Sequence, residues 1–115
     1  MISALPLLLS TAALAGVVAV DNGDLETVWK PRRVAVLIGV QDYSDPLLQG
    51  LQFPAKDARD LGAVLADTNI GGFDRVFVVE GGDNTTAAAI RDTIAIATAD
   101  LQRDDTFLLY MSGHG

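Results

Sequence analysis

Apolar positions along this chain fall into two kinds of stretch. Three short runs, VAVLIG (Val34 to Gly39), RVFVVE (Arg75 to Glu80) and TFLLYM (Thr106 to Met111), are nearly continuous in apolar, β-branched and aromatic residues. Such runs predict strands covered on both faces, not the one-sided alternation of a solvated sheet. Between them the apolar residues are spaced instead of contiguous. In PAKDARDLGAVLAD, Ala58, Leu61 and Leu65 recur at i, i+3 and i+7, and in TTAAAIRDTIAIATADL, Ile90, Ile94, Ala97 and Leu101 keep helical spacing. That period lines one side of a helix. Pro54 falls where a first turn tolerates a missing N–H, and Thr85 or Thr86 offers an N-cap oxygen to the second helix. The predicted order of strand, helix, strand, helix, strand builds a parallel sheet with right-handed crossovers and helices packed on it, an α/β architecture.

Residues 1–20, MISALPLLLSTAALAGVVAV, break this pattern because they carry no charged side chain at all. An apolar segment of about 7–15 residues followed by small residues is the plan of a secretory signal, and Ala13-Leu14-Ala15 or Val17-Val18-Ala19 would serve as the cleavage site. The charged start of such a signal is missing. A span needs roughly 20 apolar residues, so an uncleaved membrane anchor is the second reading. Either one sets residues 1–20 apart from the fold and places the domain outside the cytoplasm, periplasmic or extracellular, with a membrane contact only if the segment stays uncut. Residues 21–32 then read as a polar linker whose Trp29 packs on the domain edge, and residues 33–115 as the domain itself.

Length and charge narrow the function. With 115 residues, 15 acidic and 8 basic side chains and a formal charge of -7, the chain is one small acidic domain. It repels phosphate backbones, which argues against nucleic acid as a partner. The adjacent Arg32 and Arg33 read as a solvated strand entrance and not a binding patch. The chain has no cysteine, which removes disulfides, thiolate metal sites and a thiol nucleophile from these residues. Asn84-Thr85-Thr86 has the pattern of a glycosylation sequon but reads as a turn and helix cap.

In an open α/β sheet, chemistry collects outside the carboxyl ends of the strands. Two segments leave from those ends: VQDYSDPLLQGLQF after the first strand and SGHG after the third. The second holds the single histidine, His114, between Gly113 and Gly115. Residues without a Cβ let backbone N–H groups approach a ligand closely, which favours a site over an ordinary structural histidine.

The series RVAVLIGVQDY, FPAKDARDLGAVL, GGF, TTAAAI and DDTFLLYMSGHG resembles the caspase-like fold of cysteine peptidases, and within it the metacaspase and orthocaspase branch. The resemblance runs from Arg33 to Gly115, and its most specific element is the strand leading into SGHG. It implies a caspase-like parallel-sheet α/β/α sandwich, here its βαβαβ portion, acting on protein or peptide substrates. It assigns His114 to a Cys–His dyad, and the backbone N–H of Gly115 to one oxyanion donor. In caspases the nucleophilic cysteine lies about 50 residues after the histidine. The expectation is therefore that these residues are the N-terminal part of a catalytic domain, inactive by themselves. Ser112, two residues before the histidine, is poorly placed to replace the thiol.

The resemblance also bears on specificity. Caspases that select aspartate carry an arginine shortly before the helix that starts "DA", whereas Asp45 to Ala55 contains no basic residue. In metacaspases the aspartate of that motif and the serine of SGHG help line a pocket for arginine or lysine, roles that fall to Asp57 and Ser112. A carboxylate suits a guanidinium because the two pair bidentately. First-turn helix charge complementarity is the other reading of Asp57. No cofactor is implied, apart from Ca²⁺, which many metacaspases need; Asp42 and Asp45 are its candidate contacts, set against a plain solvated loop, and no metal ligands are assigned. Two other classes remain open: a receiver-like α/β binding module, and a non-catalytic caspase-like interaction domain. A receiver would end its third strand in a phospho-acceptor aspartate, where this chain has Ser-Gly-His-Gly.

Overall fold

The computed structural model describes residues 17–21 and 30–114. Its elements in chain order are β1 (Val17–Asp21), β2 (Arg33–Gly39), α1 (Pro54–Ala66), β3 (Arg75–Val79), a short 3₁₀ turn at Gly82–Asn84, α2 (Ala87–Thr98) and β4 (Thr106–Ser112). The sheet has the order β1-β3-β2-β4, with β2 parallel to both of its neighbours and β1 antiparallel to β3. The predicted βαβαβ core is present.

The central strand explains the core. Every residue from Val34 to Gly39 is buried, because α2 covers one face of β2 and α1 the other. Side chains alternate between the faces, so Val34, Val36 and Ile38 join Phe77, Val79 and Ala97 under α2, while Ala35 and Leu37 join Ala58, Phe73, Val76 and Val78 under α1. Fully burying one such aliphatic or aromatic side chain contributes about 1.5–3 kcal/mol. A run that is apolar at every position is therefore what a doubly covered strand requires.

The structure corrects the sequence reading in several places. The run Thr106 to Met111 is not covered on both faces among the described residues: Leu109 and Met111 are 45% and 57% exposed. The cause is reach, since α1 packs on β2, β3 and β4 whereas α2 packs on β2 and β3. The second helix stops at Thr98, short of Leu101, which still packs against the α2-side core. Its cap is Thr86, whose hydroxyl accepts the Ala89 N–H at 3.1 Å; Thr85 instead donates to the Gly81 carbonyl at 2.9 Å.

The structure also adds a strand, β1, that the sequence reading did not predict. The sequence reading keeps residues 1–20 off the fold, but the backbone of Val17–Asp21 pairs with the outer edge of β3, from Val17 opposite Val79 to Asp21 opposite Arg75. Three valines in five residues favour extended backbone, and a strand edge offers unpaired N–H and C=O groups to accept it. Residues 1–16 and 22–29 lie outside the described residues, and with them the expected signal or anchor segment and the expected packing of Trp29. Among the described residues no helix is long and apolar enough to cross a membrane.

Candidate active site

The carboxyl ends of β2 and β4 lie side by side, with Gly39 opposite Ser112. One further bond, from Val40 N–H to the Ser112 carbonyl at 2.9 Å, extends the ladder before the two chains diverge. The first turn of α1 presses on the same point. A Cβ on Gly39 would sit 2.3 Å from the Pro54 carbonyl oxygen, so only glycine allows this approach. Strand end, helix start and the SGHG segment are thereby gathered at one corner of the sheet.

The segment of residues 40–53 is tied down by its own polar groups. The Gln41 carbonyl accepts the Leu51 N–H at 2.9 Å, and its side-chain Oε1 accepts the Ala55 N–H at 3.0 Å. The second bond satisfies one of the first-turn N–H groups of α1 that a helix leaves without an internal partner. Asp45 closes a local turn, its carboxylate accepting the Leu47 N–H at 2.9 Å and its carbonyl the Leu48 N–H at 3.0 Å.

His114 is held against this segment at two points and remains exposed to solvent. Its main-chain N–H donates to the Tyr43 hydroxyl at 2.6 Å, and its ring stands edge-on to the Tyr43 ring with centroids 4.8 Å apart. Its Nε2 lies 2.7 Å from the Gln49 carbonyl oxygen. A carbonyl only accepts, so Nε2 carries the proton, and in the neutral ring Nδ1 keeps its lone pair. An imidazole anchored through one nitrogen, with no partner on the other among the described residues, is able to accept and return a proton there.

The other sequence-predicted residues take the following places. Ser112 is half-buried at the end of β4, and by alternation with Leu108 and Tyr110 it faces the α1 side of the sheet. Asp57 is exposed in the first turn of α1, its N–H bonded to the Phe53 carbonyl at 2.8 Å. Ser112 ends the strand that leads into His114, and Asp57 lies in the helix turn that presses on Gly39 beside it. Gly115 lies outside the described residues. Asp42 is exposed, and among the described residues no group of three or more His, Asp or Glu side chains is arranged to hold a metal ion. Sequence reasoning passed over Tyr43, Gln41 and Gln49 as loop residues. Tyr43 had one available signal, an aromatic in a polar loop four residues past the end of β2.

Comparison with known families puts this corner in context. The family model for the caspase domain, peptidase C14, matches residues 32–115. No curated protein and no solved structure matches the chain. The match spans β2 through β4 and runs through the histidine segment, which removes the ground for a receiver-like reading, and proteins are the substrates such a domain implies. The chain belongs to the caspase-domain family.

Proposed function

We propose that these residues form the N-terminal part of the catalytic domain of a cysteine endopeptidase of the metacaspase and orthocaspase branch, cleaving after arginine or lysine. The observation that carries the proposal is the His114 imidazole, exposed at the carboxyl end of the sheet with Nε2 bound to the Gln49 carbonyl and no partner on Nδ1 among the described residues. The chain contains no cysteine, so the nucleophile comes from residues beyond these, and these residues alone do not cleave peptides. In the reaction His114 Nδ1 takes the thiol proton, and the thiolate sulfur attacks the scissile carbonyl carbon. The imidazolium then returns the proton to the leaving amine nitrogen as the C–N bond breaks, giving an acyl-enzyme. Water then attacks that thioester with Nδ1 accepting its proton, the C–S bond breaks as the carboxylic acid product leaves, and the imidazolium returns the proton to the cysteine sulfur. The Gly115 N–H supports the oxyanion, and Asp57 with Ser112 receives the substrate guanidinium or ammonium. An exported location fits the apolar leader.

The test compares the 115-residue chain with a form extended through the next in-frame cysteine, using fluorogenic peptides ending in Arg, Lys or Asp. The expected result is turnover of Arg and Lys peptides by the extended form alone, abolished by His114→Ala. Thiol-independent turnover by the 115-residue chain would sink the proposal.

A further inference from the structure

We propose that Tyr43 is the positioning residue for His114, an assignment that rests on the reading of His114 as the group that moves protons. Four separate features of the structure meet at this side chain. The Tyr43 hydroxyl accepts the His114 main-chain N–H at 2.6 Å and donates to the Val40 carbonyl at 3.2 Å, so both of its hydrogen-bonding functions are engaged. Val40 is itself bonded to Ser112 at the end of β4. The hydroxyl therefore ties the backbone that carries the imidazole to the last rung of the β2/β4 ladder. The Tyr43 ring then limits the imidazole from the side, edge-on at 62° between ring planes, while Gln49 holds Nε2.

The fourth feature is Gly113. A Cβ at that position would lie 2.7 Å from the Tyr43 hydroxyl oxygen and 3.3 Å from Val40 Cβ. The close pass of the chain over the tyrosine is thus one reason for a glycine immediately before the histidine. A tyrosine serving only to fill space would bury its ring in one of the two core clusters. Tyr43 belongs to neither, is half-buried, and directs its hydroxyl to the residue that bears the imidazole. Backbone and ring of His114 are fixed together, which is what proton transfer needs, since a misplacement of about 1 Å costs on the order of 100-fold in rate.

The test is NMR on the 115-residue chain, following amide exchange of His114 and its imidazole Nε2–H resonance, with the β2 amides as the control for the fold. Tyr43→Phe keeps the ring and removes the acceptor. The expected result is about tenfold faster exchange of the His114 amide, the scale of one lost hydrogen bond, and a broadened Nε2–H signal with β2 unchanged. Gly113→Ala pushes on the same hydroxyl from the opposite side and should give the same loss. Combined with Tyr43→Phe it should add little, because the atom the new methyl collides with is gone. Unchanged His114 signals in Tyr43→Phe overturn the proposal. Should that variant also loosen β2, Gly113→Ala decides: loss of the imidazole signal supports the proposal and its retention overturns it. In a form that carries the nucleophile, Tyr43→Phe should lower kcat roughly ten- to 100-fold with KM within about twofold. A rise in KM with kcat unchanged would contradict a positioning role. Absence of peptidase activity in every form would remove the catalytic reading of His114, yet leave the Tyr43 contact to stand or fall on the NMR result.

Discussion

The two ends of the β2/β4 pair are held differently, although ions are not confined to one end of the sheet: Arg59 pairs with Glu80 just past β3, and the Asp45 carboxylate closes a turn in the loop after β2. At the amino ends of β2 and β4, charge ties the strands together. The Asp105 carboxylate, 4% exposed, accepts the Arg32 main-chain N–H at 2.7 Å and the Gln102 N–H at 2.8 Å, and pairs with the Arg32 guanidinium at 3.0 Å. Arg32 and Arg75 both reach Asp100, and Arg33 lies over the Phe73 ring with its N–H on Asp74. At the carboxyl corner, neutral groups do the holding: the Gln41 amide, the Tyr43 hydroxyl and the carbonyls of Val40, Gln49 and Ser112. That contrast divides labour. Paired charges join the strand entrances at one end, while at the other hydrogen bonds between neutral groups hold an imidazole that stays exposed.

The division predicts that one end can be damaged without the other. The larger effect belongs to the carboxyl corner. In the extended protein, Asp57→Ala should lower kcat/KM for arginine peptides at least tenfold, on the scale of about 2–5 kcal/mol seen when one partner of a buried charge pair is removed. The melting temperature should hardly move. If Asp57 only complements the helix end, the change costs about 0.3–1 kcal/mol of stability and leaves cleavage alone. Measuring both quantities on one variant separates the two.

The smaller effect belongs to the amino ends and depends on pH. The N–H groups of Arg32 and Gln102, helped by the Arg32 guanidinium, hold the Asp105 carboxyl below its ordinary range. The Arg32 guanidinium is in turn raised, chiefly by its hydrogen bond to Asp100. A carboxyl lowered by folding binds its proton more weakly in the native state than in the unfolded one. Its stabilisation is therefore complete above the unfolded aspartate value, about 3.9, and disappears as pH falls through the lower native value. Asp105→Asn should lower the melting temperature near neutral pH, and the gap from wild type should close in acid. Cleavage kinetics should not change. A gap that is flat with pH would mean that Asp105 acts by packing alone.

How much of this was legible in the sequence follows from the range of each interaction. β2, β3 and both helices were legible because their signal is local: an uninterrupted apolar run, or apolar residues at helical spacing that begin at Pro54 in α1 and at the Thr86 cap in α2. The position of His114 just past the carboxyl end of β4 was legible because the strand that leads into it is adjacent in the chain. Tyr43 and Gln49 were not, since they meet His114 across 71 and 65 residues. Nothing in a polar loop marks which of its members folds back. The partners of Arg32 and Arg33 were hidden for the same reason: Asp105 is 73 residues from Arg32 and Asp74 is 41 from Arg33. β1 was hidden by composition, because a valine-rich edge strand that follows the uncharged run of residues 1–16 reads as a continuation of that run. The exposed face of β4 was hidden by an opposite effect, since the run is as apolar as that of β2 and only the reach of α2 tells them apart.

The central claim is that the His114 imidazole activates a thiol supplied from beyond these residues. Its most direct test is mass spectrometry of the extended protein after exposure to a peptide electrophile ending in arginine, for wild type and His114→Ala with matched melting temperatures. The account predicts one adduct on a single cysteine in the wild type and almost none in the variant. Equal labelling of both proteins, or an adduct on Ser112, would contradict it.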